Sequence, residues 1–273
     1  MRMTAVLALF LAPAAYSQAL PGRIQSSYRA VTSQPKQALV QSTDMIFPHL
    51  AMGGGWDTTI VIVNITNVTT PFTQYFYDEA GNPMTVTVRA PDGSTSMVNS
   101  MQNTLAPGGT VRFTLISSSA DAQAGWSGIS YDSSQGRLGG YASFRLNVNG
   151  TVNEGLVPIS AYDDSWFVMP FDNTQGYITA LALCNPGNVA DNVTITAVDA
   201  NGNKMASETI NLAPGAHIAY VITGDGHMPS LANAAGALIV ESTNTTTLSG
   251  LGIRMNSSFG FTSIPIMNFI PGV

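Results

Sequence analysis

Charge is scarce in this chain. Asp, Glu, Lys and Arg together make up 10% of its 273 residues, against roughly 25% in an ordinary soluble domain. The 10 Lys and Arg form no cluster and the formal net charge is −6. Nucleic-acid binding requires a basic stripe, so the sequence argues against it. Cysteine is scarcer still. Cys184 is the single one, which excludes intramolecular disulfides and leaves stability to hydrophobic cores. It ends the apolar run Ala180-Leu181-Ala182-Leu183, a setting that predicts a buried structural thiol. Catalytic signatures are missing as well. No Gly-x-Ser-x-Gly elbow occurs. The 16 acids are scattered among turns, without a recognisable carboxylate pair. His49, His217 and His227 have no short metal-ligand spacing. Asp199-x-Asn201-x-Asn203 opens like a calcium loop, but position 12 is Ile210 where an EF-hand needs Glu. These absences predict a non-enzymatic protein without a resident cofactor. The one metal alternative is calcium between two domains, held by Asp163-Asp164 together with Asp78 or Glu154.

What is present is a duplication. Leu105-Ala106-Pro107-Gly108-Gly109 returns 107 residues later as Leu212-Ala213-Pro214-Gly215-Ala216. Upstream, Tyr77-Asp78-Glu79-Ala80-Gly81-Asn82 matches Val198-Asp199-Ala200-Asn201-Gly202-Asn203. Downstream, the stretch ending in Arg145 matches Ser249-Gly250-Leu251-Gly252-Ile253-Arg254, and Val157-Pro158-Ile159 matches Ile264-Pro265-Ile266. The repeated positions (Asp78 and Asp199, Pro107 and Pro214, Arg145 and Arg254) carry turn chemistry and core pattern rather than reactive groups. Each Arg follows an apolar stretch near a strand end, which predicts a structural bond to a loop carbonyl or carboxylate. Asp78 and Asp199 are 121 residues apart but the Leu-Ala-Pro-Gly turns only 107, so the first copy carries about 14 extra residues between them. An extra hairpin over 85–99, with Pro91-Asp92-Gly93 at its tip, accounts for them.

Helical periodicity is absent apart from one turn that Pro229 can open. Short β-branched or alternating runs separated by Gly, Pro, Asn and Asp read as strands. Ile46-Phe47-Pro48 reads as an edge strand, because proline lacks the ladder donor. Thr58 to Val63 reads as a central strand, Met97 to Leu105 as one strand, and Gly53-Gly54-Gly55 as a flexible turn. Seven or eight strands per copy predict an all-β protein of two tandem antiparallel sandwiches, residues 45–161 and 162–273, meeting end to end. Ahead of them, residues 1–19 combine Arg2, an apolar stretch and small residues in the manner of a secretory signal. Residues 20–44 read as an extended or disordered leader. No later run is long enough to anchor in a membrane.

One order of motifs is distinctive. Pro170-Phe171-Asp172-Asn173 is followed by Cys184-Asn185-Pro186, Asp199–Asn203, Leu212–Gly215, Gly250–Arg254 and Thr262–Pro265. In this the chain resembles the immunoglobulin-like β-sandwich repeats of exported bacterial proteins, over roughly residues 45–268. The resemblance implies spacer, adhesion or accessory modules at the cell surface. The expected function is therefore that of a secreted structural or adhesion protein of the envelope or matrix, with a protein or glycan at the cell surface as partner. A carbohydrate- or ligand-binding module is the first alternative, using Trp56 beside Gly54 and the hairpin tip at Asp92. A fibre subunit is the second, with the leader adding a strand to a neighbouring copy.

Overall fold

The computed structural model describes residues 29–30, 45–159, 165–224, 226–243 and 248–268. Residues 1–19, read from the sequence as a secretory signal, the leader apart from 29–30, and Asp163-Asp164 lie outside the described residues. Along the first half run β1 (Arg29–Ala30), β2 (Met45–Met52), β3 (Trp56–Asn64), β4 (Thr70–Asp78), β5 (Val86–Arg89), β6 (Thr95–Val98), β7 (Ser100–Leu105), β8 (Thr110–Ile116), β9 (Gln123–Tyr131), β10 (Leu138–Val148) and β11 (Thr151–Pro158). The second half holds β12 (Trp166–Asp172), β13 (Ile178–Cys184), β14 (Asp191–Val198), β15 (Lys204–Leu212), β16 (His217–Val221), β17 (Ala235–Ser242), β18 (Ser249–Met255), β19 (Phe261–Ile264) and β20 (Met267–Asn268). A 3-10 turn, Pro229–Leu231, begins with its proline. Among the described residues no helix is long and apolar enough to cross a membrane.

Among the described residues all strand pairs are antiparallel, and no sheet mixes the halves. The first half has sheets ordered β1-β7-β4-β9-β2 and β11-β10-β3-β8-β5-β6; the second has β15-β14-β17-β12-β20 and β16-β13-β18-β19. Each pair of sheets encloses its own core. Phe47, Phe76 and Ile129 meet Ile60, Phe113 and Leu115 in the first half; Phe167, Ile195 and Val240 meet Leu181, Leu183 and Tyr220 in the second. This is a β-sandwich arrangement, in which the inner faces of two sheets interdigitate.

The extra residues of the first copy form the hairpin β5–β6, with Val86 opposite Val98, added beyond β8. The stretch 97–105 departs from the single strand expected of it. It divides at Asn99 into β6 and β7, which belong to different sheets. No glycine or proline interrupts 97–105, so the crossover left no turn signal in the sequence. Gly53-Gly54-Gly55 is not a loose turn either. All three glycines have positive φ, and Gly53 and Trp56 exchange backbone bonds at 2.9 and 3.0 Å while the Gly54 amide bonds the Ser119 carbonyl. A Cβ on Gly55 would lie 2.6 Å from the Asn147 carbonyl oxygen. Glycine is required there by conformation and close approach, not for freedom of motion.

The duplicated Leu-Ala-Pro-Gly turns share one fastening. Asn64 and Asn185 are buried. The Asn64 amide group donates to the carbonyls of Val68, Leu105 and Ala106 at 2.7, 3.0 and 3.2 Å. Asn185 donates to those of Val189, Leu212 and Ala213 at 2.8, 3.1 and 3.3 Å. Asparagine is needed because one short side chain must serve three converging carbonyls. Thr58 and Thr179, also buried, are paired in the same way. The Thr58 hydroxyl donates to the Ala51 carbonyl and accepts from the Ala51 amide, and Thr179 does the same with Asp172.

Candidate binding cleft at the junction of the halves

The halves do not meet end to end. Strand β2 and the β11 edge pack on the outer face and edge of the β13–β18 sheet. Sequence differences between the copies explain why. On the outer face of its β3-containing sheet, the first copy carries Thr59, Val61, Arg112 and Tyr141. At the corresponding register positions the second has Ala180, Ala182, Ala219 and Leu251. The second copy's face is thus apolar and is covered by the first half, with Ala51, Phe144, Val157, Ala182 and Leu251 forming a shared buried cluster. Strand β13 is buried on both faces, which is why Ala180 to Cys184 is a continuous apolar run rather than an alternating one. Strand β2 is a sheet edge, yet all of its residues are buried. Its register shifts between Phe47 and Leu50, across Pro48.

Two repeated turns meet across this junction, one from each half. The Glu79 carbonyl accepts the His217 amide at 2.9 Å. The buried Trp126 indole, stacked on Tyr77, donates to the Gly215 carbonyl at 2.8 Å. A Cβ on Gly81 would lie 2.6 Å from the Gly215 carbonyl carbon, and Gly81 has φ +80°. Gly81→Ala is therefore expected to cost more than the 1 kcal/mol or so of left-handed strain alone, because backbone blocks the methyl group. The equivalent Gly202→Ala, with open space around it, should lose only the conformational part. Urea unfolding of both variants measures the difference. At the far ends the specialised contacts are not repeated: Val198, Ala237 and Thr110 stand where Tyr77, Trp126 and His217 would be.

His49 and His217, 168 residues apart, come together here. His49 Nδ1 lies 3.1 Å from His217 Nε2 with the rings stacked. Burial lowers the pKa of His49 to about 4. Burial, then the nearby His49, pushes His217 well below its ordinary value. Both imidazoles are neutral near pH 7, and one nitrogen of the contact donates while the other accepts. His217 Nδ1 is buried without a hydrogen-bond partner among the described residues. Among those residues no three His, Cys, Asp or Glu side chains are grouped to hold a metal.

Beside this pair opens a cleft of about 980 Å³, lined by both halves. Trp56 and His49 stand on the first half's side; Ala180, Ala182, Leu251 and Ile253 supply an apolar floor from the second. Trp56 is tilted against Phe261 with ring centroids 5.4 Å apart. Asp78, Glu79 and Asp121 are among the lining residues, and Lys and Arg are absent from the lining. No protein-family model, curated protein or solved structure matched the chain. The cleft's own chemistry therefore carries the functional reading.

Of the positions singled out in sequence, Trp56 and Asp78 border the cleft and Gly54 does not. Asp78 closes its own loop, accepting from the amides of Ala80 and Asn82 at 3.0 and 2.8 Å. Asp199 repeats this at the far end with Asn201 and Asn203, and the Asn203 bonds above all hold its carboxyl below the usual range. Asp92 is occupied by Ser94 at the hairpin tip, outside the cleft. Pro107 and Pro214 sit in the fastened turns. Arg254 bonds Asp172 at 2.6 Å and lies 3.4 Å above the Tyr177 ring. Hydrogen bonds from Thr174, then Arg254, lower the Asp172 pKa. Arg145 stands in register with Asp57 and Glu154, and the Glu154 carboxylate accepts the Ser143 hydroxyl. His227 does not itself line the cleft. It bonds Glu208 at 2.9 Å and stacks on Tyr220, whose hydroxyl also donates to Glu208 at 2.8 Å; this cluster ties the loop before the 3-10 turn to β15 and β16. The histidine pair and the alanine face were missed in sequence. Comparing the copies position by position would have exposed the alanines.

Proposed function

We propose that this chain is an exported, non-enzymatic binding protein of the bacterial cell surface or matrix. It comprises two immunoglobulin-like β-sandwich domains, residues 45–161 and 162–273, and takes its ligand at their junction. The single observation carrying this reading is the cleft, which neither half could form alone. Its volume lies at the upper end of the range for small-molecule sites, and its apolar floor with few polar groups is their usual composition. Surface adhesion through a protein or glycan partner is the biological role that fits such a module. A screen of glycans and matrix proteins tests it. A ligand should be found whose affinity falls about tenfold in Trp56→Ala, measured below that variant's own unfolding transition. Binding indifferent to Trp56 would count against the cleft.

A second reading has its own observation. Arg29 and Ala30 of the leader pair with Gln102 and Met101 on the edge of β7. The same pairing made between copies would build a fibre by strand addition. Light scattering with and without residues 20–44 separates the readings: assemblies that need the leader indicate a fibre, whereas a monomer in both forms indicates a binding module.

A further inference from the structure

We infer that the junction cleft takes an organic cation with an apolar body, of which an alkylammonium ion is the simplest example. This rests on the reading of the cleft as a binding site and adds the chemistry of its occupant. The floor carries shorter side chains than its counterpart in the first copy. Where the first copy has Thr59, Val61 and Arg112, the second has Ala180, Ala182 and Ala219. The change removes a cation and two larger side chains from one patch, opening space and leaving it apolar. An alkyl chain buried there is removed from water, which favours its binding.

The charge at the mouth is of one sign. Asp78 spends its oxygens on its own loop. Glu79 and Asp121 are exposed, and their carboxylates make no hydrogen bond to the described residues. No lysine or arginine borders the cleft to neutralise them. His49, the other titratable group facing the space from the first half, is neutral near pH 7. Tyr220, whose ring packs into the second half's core and whose hydroxyl donates to Glu208, stays protonated because burial and then Glu208 raise its pKa. The potential in the cleft is therefore negative. Trp56 adds an indole, the ring that attracts cations best. An anionic amphiphile would find the same apolar floor and meet two uncompensated carboxylates.

Titration calorimetry of the full chain with octylammonium, octanoate and octanol tests this, near neutral pH and low ionic strength. Octylammonium is expected to bind about tenfold more tightly than octanol, with octanoate weakest. Added salt should narrow the spread. The double substitution Glu79→Gln with Asp121→Asn should bring octylammonium to the level of octanol and leave octanol unchanged; both residues are exposed, so an unaltered melting curve verifies folding. Octanoate binding as well as octylammonium, or a preference that survives the double substitution, would overturn the inference. If all three bind equally and Trp56→Ala weakens them, the cation inference fails while the cleft reading stands. If none binds, the inference fails, and the cleft reading stands or falls with the effect of Trp56→Ala in the glycan and matrix screen.

Discussion

Replacing Asn185 or Asn64 by alanine is expected to destabilise the protein by about 2–4 kcal/mol, among the largest effects of any single polar substitution in this fold. Each asparagine is buried and donates to three carbonyls, while its own oxygen accepts the amide of Gly187 or Thr66. Truncation removes these bonds and leaves carbonyls turned toward a space that water fills poorly, and an unmade buried bond costs more than a made one contributes. Asparagine to aspartate should be at least as harmful, because it sets a carboxylate against the same carbonyls. The two copies supply an internal control. The Asn185 fastening holds the turn that receives Trp126 and Gly81 from the other half, whereas the Asn64 fastening holds a free turn. Asn185→Ala should therefore also disturb the junction, seen as altered fluorescence of the buried Trp126 before global unfolding. Denaturant midpoints measure the stability change. Losses below about 0.5 kcal/mol in both variants would remove the fastening from the account.

Acidification is expected to weaken the protein well before its carboxylates protonate. His49 has a folded pKa of about 4 and an unfolded value near 6.5. Above about pH 6.5 both states are neutral and the full stability is present. Between 6.5 and about 4 the unfolded chain binds a proton that the folded chain refuses, so stability falls with pH; below about 4 the loss is complete. For His49 alone the loss is about 3 kcal/mol. His217 shifts in the same direction and adds to it. Protonating both rings would also destroy their mutual hydrogen bond, since each nitrogen would then donate. Asp172 and Asp199, whose pKa values are lowered, lose their contribution only as pH falls below their ordinary value near 4, so they do not confuse the upper window. Urea midpoints at about pH 7 and about pH 5 should differ clearly in the native chain and little in the double variant His49→Gln, His217→Gln. Persistence of the difference in that variant would place the acid sensitivity elsewhere.

Much of this architecture is legible in the chain because turns and periodicity are local. The paired Leu-Ala-Pro-Gly turns, the two Asp-to-Asn loops and the proline-led 3-10 turn recur where the residues put them. The surplus between Asp78 and Leu105 is the β5–β6 hairpin. The crossing at Asn99 was hidden because no glycine or proline marks it, and a local pattern does not specify which sheet a strand joins. The role of Gly53 to Gly55 was hidden because glycine serves mobility and tight fit alike.

By itself the sequence determined an all-β chain built as a duplication, with glycines and asparagines at its turns and no disulfide to support it. Those properties depend on backbone preference and on the alternation of neighbouring side chains. Only the tertiary structure decided what the copies do to each other. The apolar face of Ala180, Ala182, Ala219 and Leu251, the contact of His49 with His217, and the reach of Trp126 to Gly215 join residues far apart in the chain. Their meeting follows from how one sandwich lies on the other, and no local signal encodes that geometry.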